Sequence, residues 1–249
     1  MKAIFHDDFC RVYTSDPAAS AGRMESIVEV ITPHVRFVKA QPASEDQIAF
    51  AHDSAQIEYV RQAGLYPITA LAAAGGAVQA ATLGLSEPCV GLIRPPGHHA
   101  SSGSCWGFCY FNNMAIALEV LKREGKIKTA YVLDFDLHFG DGTVNMLQSR
   151  DYATIHNPES SDRDAYLKEI SKQLSLCRDD IIGISAGFDN HQDDWGGLLR
   201  TDDYHDIGKW VRKAALNNDG GYFAILEGGY NHQVLGENVL ALIQGMSDN

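Results

Sequence analysis

The sequence predicts an α/β protein with a single-domain, open parallel β-sheet and helices on both faces, and three observations carry that expectation. Short apolar runs alternate with longer stretches of helical periodicity along the chain. At 249 residues the chain is long enough for one large core, and such folds reach about 250 residues without splitting, so 1–249 is expected to be one domain. The chemistry-bearing clusters fall just after apolar runs, where ligand sites of such sheets gather beyond the strands' carboxyl ends.

Taken in order, the chain opens on a strand over 2–6, followed by helices over 21–31, 54–63 and 68–83. A strand over 89–93 runs into a proline-stiffened loop, and a helix over 113–124 leads to a strand over 129–135. Strands over 152–156, 180–185 and 222–226 then alternate with helices over 163–174, 202–217 and 233–246. Glycine and proline mark turns throughout, without a low-complexity linker or internal repeat.

The densest chemistry lies at 131–143, Y-V-L-D-F-D-L-H-F-G-D-G-T. While the chain stays extended, residues i, i+2 and i+4 share a face, so Asp134, Asp136 and His138 can point together. Carboxylates with an imidazole suit Zn²⁺ or a similar divalent ion. Read alone, D-x-D-x-H fits equally a strand-to-helix turn whose acids cap the next helix. Two further segments favour the metal. R-P-P-G-H-H-A from Arg94 presents His98 and His99 on a stiff loop, and I-I-G-I-S-A-G-F-D from Ile181 brings Asp189 to the end of a buried strand.

With W-G-F-C-Y-F-N-N from Trp106 and L-E-G-G-Y ending at Tyr230, these pieces occur in the order found in the histone deacetylase and acetylpolyamine amidohydrolase family, which the chain resembles over roughly 90–230. The resemblance implies the arginase-deacetylase fold, with Asp136, His138 and Asp189 as ligands of Zn²⁺, or of Fe²⁺ as the alternative, and one coordination position left open for water and substrate. It implies that His98 and His99 flank the catalytic water with Asp134 and Asp141 as their carboxylate partners. His99 is expected to be the general base, His98 an electrostatic aid, and Tyr230 the hydroxyl donor to the oxyanion. Phe108, with Gly107, is expected to wall the substrate channel. A structural K⁺ is implied on oxygens of Asp134, Asp136, His138, Thr154 and Ile155.

The chain departs from the family pattern in four places. Phe139 stands where many members carry a second histidine that is not a ligand. Residues 16–27, D-P-A-A-S-A-G-R-M-E-S-I, replace an H-P-E-R-P-type segment and leave Arg23 as its remnant. Leu65, Tyr66 and Pro67 occupy the region where protein deacetylases carry a rim acid. A short link, N-P-E-S-S-D-R-D-A-Y at 157–166, replaces a long aromatic and glycine-rich loop, so the channel should be more open on that side.

A net charge of -12 and the absence of a basic stripe argue against a nucleic-acid partner and suit a cationic substrate. No run approaches the roughly 20 apolar residues of a membrane helix, so no membrane partner is expected. Five cysteines without C-x-x-C spacing read as reduced thiols, and the N-terminus lacks a signal peptide's apolar length; both favour the cytoplasm. The expected function is zinc-dependent removal of an acetyl group from an acetylated amine. A small substrate such as an acetylpolyamine is favoured over acetyl-lysine in a protein, and no oligomeric state is assigned. An arginase-like hydrolase would need a two-metal site with more carboxylates. A non-catalytic, metal-stabilised acyl-amine-binding protein would be expected to have lost one of Asp136, His138, Asp189, His98, His99 or Tyr230, and all six are present.

Overall fold

The computed structural model describes residues 1–247. Seven strands, β1 Lys2–Phe5, β2 Arg36–Lys39, β3 Cys89–Gly91, β4 Ala130–Asp134, β5 Ala153–His156, β6 Ile181–Ala186 and β7 Gly221–Leu226, form one sheet in the order β2-β1-β3-β7-β6-β4-β5, and every pairing is parallel. The strands β3, β4, β6 and β7 are buried along their whole length, which is why they read as continuous apolar runs.

Helices cover both faces. On β7 the Tyr222 hydroxyl donates to Met246 O of the C-terminal helix His232–Met246, while the next side chain, Phe223, packs beside Met114 of helix Asn113–Arg123. Successive side chains on a strand point to opposite faces, so these two helices lie on opposite sides of the sheet. Helices Arg23–Ile31 and Thr201–Leu216 pack against His232–Met246, with Arg163–Leu176 beside Thr201–Leu216.

Three expectations need correction. Strand β2 was not expected: R-F-V-K is four residues long and charged at both ends, and it sits at the sheet's edge where only its middle is partly buried. The helix expected over 68–83 is wound differently along its length, as Tyr66–Ala70, a π-helical stretch Leu71–Val78 and Gln79–Gly84. Two short helices, Glu45–Ala49 and Asp141–Leu147, fall below the length at which periodicity is readable, although the first carries a capping box between Ser44 and Gln47. Among the described residues no helix is long and apolar enough to cross a membrane.

Buried polar groups tie the loops above the sheet together. Arg94 is fully buried and donates to the carbonyls of Arg11, Ala18 and Ser20, lashing the N-terminal segment to the end of β3. His52 accepts the Asn112 N–H at Nε2 (2.8 Å), faces Ser102 O through Nδ1 (3.3 Å) and packs on Phe111. Burial drives its pKa from 6.5 down to about 4, so it stays neutral in the fold while the unfolded chain takes up a proton below 6.5. The stability this group contributes is therefore complete above pH 6.5 and is lost as pH falls toward 4, by roughly 3 kcal/mol. Urea melts between pH 7 and 4 should show a shallower decline for His52→Gln than for the wild type; parallel declines would contradict this.

Candidate active site

Four strand ends supply the site. The loop after β3 carries His98 and His99, β4 ends on Asp134 and runs on to Asp136, His138 and Asp141, the loop after β6 carries Asp189, and the loop after β7 carries Tyr230. The sequence places Asp134, Asp136 and His138 on one face of an extended chain, but the strand stops at Asp134. Beyond it the chain turns on its own side chains: Asp134 Oδ1 accepts the Asp136 N–H (3.2 Å), and Asp136 Oδ1 accepts the His138 N–H (2.9 Å). These turns send Asp134 toward His98, and Asp136 toward His138 and Asp189.

Asp136, His138 and Asp189 each offer a ligand atom, all within 4.8 Å of one another. His138 Nδ1 lies 3.2 Å from Asp136 Oδ1 and 3.1 Å from Asp189 Oδ2, and the other carboxylate oxygens accept backbone N–H groups from Gly228 (2.9 Å) and Leu137 (3.1 Å). Both acids are buried. Their hydrogen bonds raise the His138 pKa to about 10, so the cluster favours positive charge. A divalent cation would displace that proton, and two carboxylates with one imidazole match the donor set of a catalytic metal site. Gly228 is required here, because a Cβ at that position would fall 2.5 Å from Asp136 Oδ2 and 2.7 Å from Asp189 Oδ2.

The two histidines are held differently. His98 is buried, with Nδ1 3.1 Å from Asp134 Oδ2 and its backbone N–H on Glu227 Oε2. Burial works against its charge, but Asp136 and Asp134 outweigh that and raise its pKa well above the ordinary value. His99 Nδ1 lies 2.6 Å from Asp141 Oδ1, while its ring is covered by Trp106 at 3.8 Å, whose indole N–H also bonds Asp141 (2.9 Å). Burial, followed by the charge of His98, lowers His99 to about 4, so it is neutral near pH 7 and free to accept a proton.

A cavity of about 130 Å³ is lined by His98, His99, Phe108, His138, Trp195 and Tyr230 among others. Gly107 and Phe108 form a left-handed turn on its wall, with φ of 58° and 66°. A side chain at Gly107 would meet the His99 ring at 2.4 Å, and the turn brings the Phe108 ring edge-on to Tyr230 at 6.1 Å. Burial and the charges of Asp136 and Asp189 push the Tyr230 hydroxyl far above its ordinary pKa, so it remains a donor.

Several contributors were not singled out from the sequence. Glu227, in the quoted L-E-G-G-Y, is fully buried and accepts N–H groups from Gly97 and His98 and the Ser185 hydroxyl. Arg23, named above only as the remnant of a replaced segment, is fully buried and donates to Glu227 O (2.6 Å) and Gly229 O (2.8 Å) under the Tyr230 loop. Asp194 and Trp195 contact Tyr230 directly. The only signal for them was D-D-W a few residues after Asp189.

Leu65 and Pro67 line a cavity of their own with Asp8, Arg11 and Tyr13. The short link after β5 does border open space, a cavity of about 480 Å³ lined by Phe139, Asn157, Pro158, Ser160 and Asn190 among others. Thr154 and Ile155 lie on β5 opposite Tyr131 and Val132 of β4.

The sequence model of the histone deacetylase domain matches residues 18–160 and 153–246. A protein of Methanothermobacter thermautotrophicus named "Probable deacetylase" is 30% identical over 91% of this chain and 85% of its own length. A "Histone deacetylase-like amidohydrolase" of Pseudomonas aeruginosa is 26% identical over 93% of this chain and 78% of its own. In fold the chain is similar to the crystal structure of the HDA15 HD domain, with a TM-score of 0.82, 19% identity, and coverage of 98% of this chain and 88% of that one, consistent with the arginase-deacetylase fold. That family is generally metal-dependent and acts on amides, and here a three-donor cluster reaches, through His138, a cavity that two carboxylate-paired histidines and a tyrosine also line. The chain belongs to the histone deacetylase family of amidohydrolases.

Proposed function

We propose that residues 1–249 act as one zinc-dependent hydrolase that removes the acetyl group from an acetylated amine, with small substrates such as acetylpolyamines favoured. The observation that carries this reading is that His138 of the Asp136–His138–Asp189 cluster, His98 and His99, each paired with a carboxylate, and Tyr230 line a single cavity. Asp136, His138 and Asp189 would hold Zn²⁺, with Fe²⁺ as the alternative, and the ion would supply Lewis acidity and bring the pKa of water from about 15.7 toward roughly 7. His99, neutral and oriented by Asp141, takes the proton from the attacking water and returns one to the departing amine. His98, held charged between Asp134 and Asp136, lowers the energy of negative charge developing at the carbonyl. Tyr230 donates its hydroxyl to the same oxygen, and Phe108 and Gly107 wall the acyl-amine chain. A K⁺ ion on oxygens of Asp134, Asp136, His138, Thr154 and Ile155 rests on the family resemblance. All five cysteines are free, which suits a reducing cytoplasm.

The narrow, aromatic-walled cavity and the net charge of -12 support a small cationic amine. One observation favours a second reading, deacetylation of acetyl-lysine in a protein: the 480 Å³ cavity leaves room beside Phe139 for a bulky substrate. Comparing kcat/KM for an acetylpolyamine and an acetyl-lysine peptide separates them, because that ratio reports differential transition-state binding. The acetylpolyamine should lead by about tenfold or more, the effect of ~1.4 kcal/mol. A peptide preference would select the second reading. No turnover of either by zinc-loaded protein would favour a binding protein.

A further inference from the structure

A hydroxyl that donates to a developing oxyanion is effective only if it is already in place, so the loop carrying Tyr230 must be fixed from outside. We infer that Asp194 and Trp195, on the loop that follows Asp189, form a clamp that positions Tyr230 for catalysis, a role that rests on the amidohydrolase reading above. The clamp grips both backbone and ring. Asp194 Oδ2 accepts the N–H groups of Tyr230 and of Asn231, each at 2.7 Å, while its other oxygen accepts the Trp195 N–H at 2.8 Å. The next side chain, Trp195, lies flat against the Tyr230 ring, with centroids 4.1 Å apart and planes 27° apart.

The clamp is also tied to the metal cluster. Gly196 N–H donates to the Asp189 carbonyl at 2.8 Å, and the Trp195 ring meets the His138 ring edge-on at 6.2 Å. One short loop therefore sets the distance between the oxyanion donor and two of the three cluster residues. From the other side Arg23 holds the Glu227 and Gly229 carbonyls, with its guanidinium 5.6 Å from the Tyr230 ring centre, so Tyr230 is fixed between two supports. Trp195 leaves 53% of its surface exposed, and its contacts with Tyr230 and His138 account for its place at the mouth. The competing account is that Asp194 merely steadies the start of helix His232–Met246, whose first turn is already capped by Asn231 through the Gln233 N–H.

A double-mutant cycle on zinc-loaded protein, read as kcat on the best acetylated-amine substrate, separates the two. If Asp194 acts through Tyr230, Asp194→Ala should lower kcat between about 10- and 100-fold with KM little changed, since small misplacements of a catalytic group cost that much. In a Tyr230→Phe background the same substitution should change kcat by less than about twofold, because the hydroxyl it positions is gone. Asp194→Asn, which keeps one acceptor, should recover part of the loss. Equal losses in both backgrounds would overturn the clamp and leave Asp194 as a helix-steadying residue. Should Asp194→Ala fail to fold, Trp195→Leu and Asp194→Asn enter the same cycle with the same criterion. Wild-type turnover in Tyr230→Phe would instead remove the role of Tyr230, and the clamp with it; additivity in an impaired Tyr230→Phe protein removes only the clamp.

Discussion

Asp136→Ala and Asp189→Ala proteins will hydrolyse acetylated amines more slowly than the wild type by on the order of 10³ or more, and wild-type protein stripped by a chelator will lose activity to the same extent. Adding Zn²⁺ back should restore only the stripped wild type. The magnitude follows from what a bound ion contributes to transition-state charge, several kcal/mol, or about tenfold for each ~1.4 kcal/mol. Each carboxylate is buried and accepts a backbone N–H as well as facing His138, so removing one leaves the remaining donors too few to hold the ion. A second readout is independent of turnover. Zn²⁺ bound only by the folded state raises Tm in proportion to the logarithm of its concentration, so the wild type should show that rise and the two variants should lack it. Full activity in metal-free wild type would sink the metal reading outright.

Tyr230→Phe should lose about 10² to 10³ in kcat while keeping its metal and nearly its KM, the scale seen when one oxyanion donor is removed from other hydrolases. The substitution deletes one oxygen and leaves the ring between Trp195, Phe108 and Arg23. Because burial and the neighbouring acids keep the hydroxyl protonated, the loss should be uniform from pH 6 to 9 instead of tracking a tyrosine titration. Unchanged turnover would reduce Tyr230 to a packing residue.

Legibility in the sequence followed burial. The central strands β4, β6 and β7 were readable because both of their faces are covered, whereas β2, polar at its ends and at the sheet edge, leaves no such run. Asp136, His138, Asp189 and Tyr230 could be picked out because each follows an apolar strand within a few residues, but the reason they converge was misread: side-chain-to-backbone turns, not strand alternation, aim Asp136 and His138. What pattern reasoning missed depends on contacts between loops far apart in sequence. Arg23 reaches Glu227 and Gly229 across some two hundred residues, and Trp195 meets Tyr230 from a different loop.

The sheet order has a consequence for how the molecule is assembled. In β2-β1-β3-β7-β6-β4-β5 the strand that comes last in the sequence lies between β3 and β6, so 2–91 and 130–186 supply two half-sheets whose inner edges stay open until β7 arrives. Those edges are buried and apolar in the finished protein, and before closure they are templates for pairing with other chains. During ribosomal synthesis the waiting period ends only when 221–226 have emerged, and the pairings they make join segments more than a hundred residues apart on the β3 side. The same insertion carries Glu227 against His98 and Tyr230 to the cavity that His138 also lines. Closure of the sheet and completion of the candidate site are thus one event, and a nascent or partly unfolded chain with β7 displaced has neither.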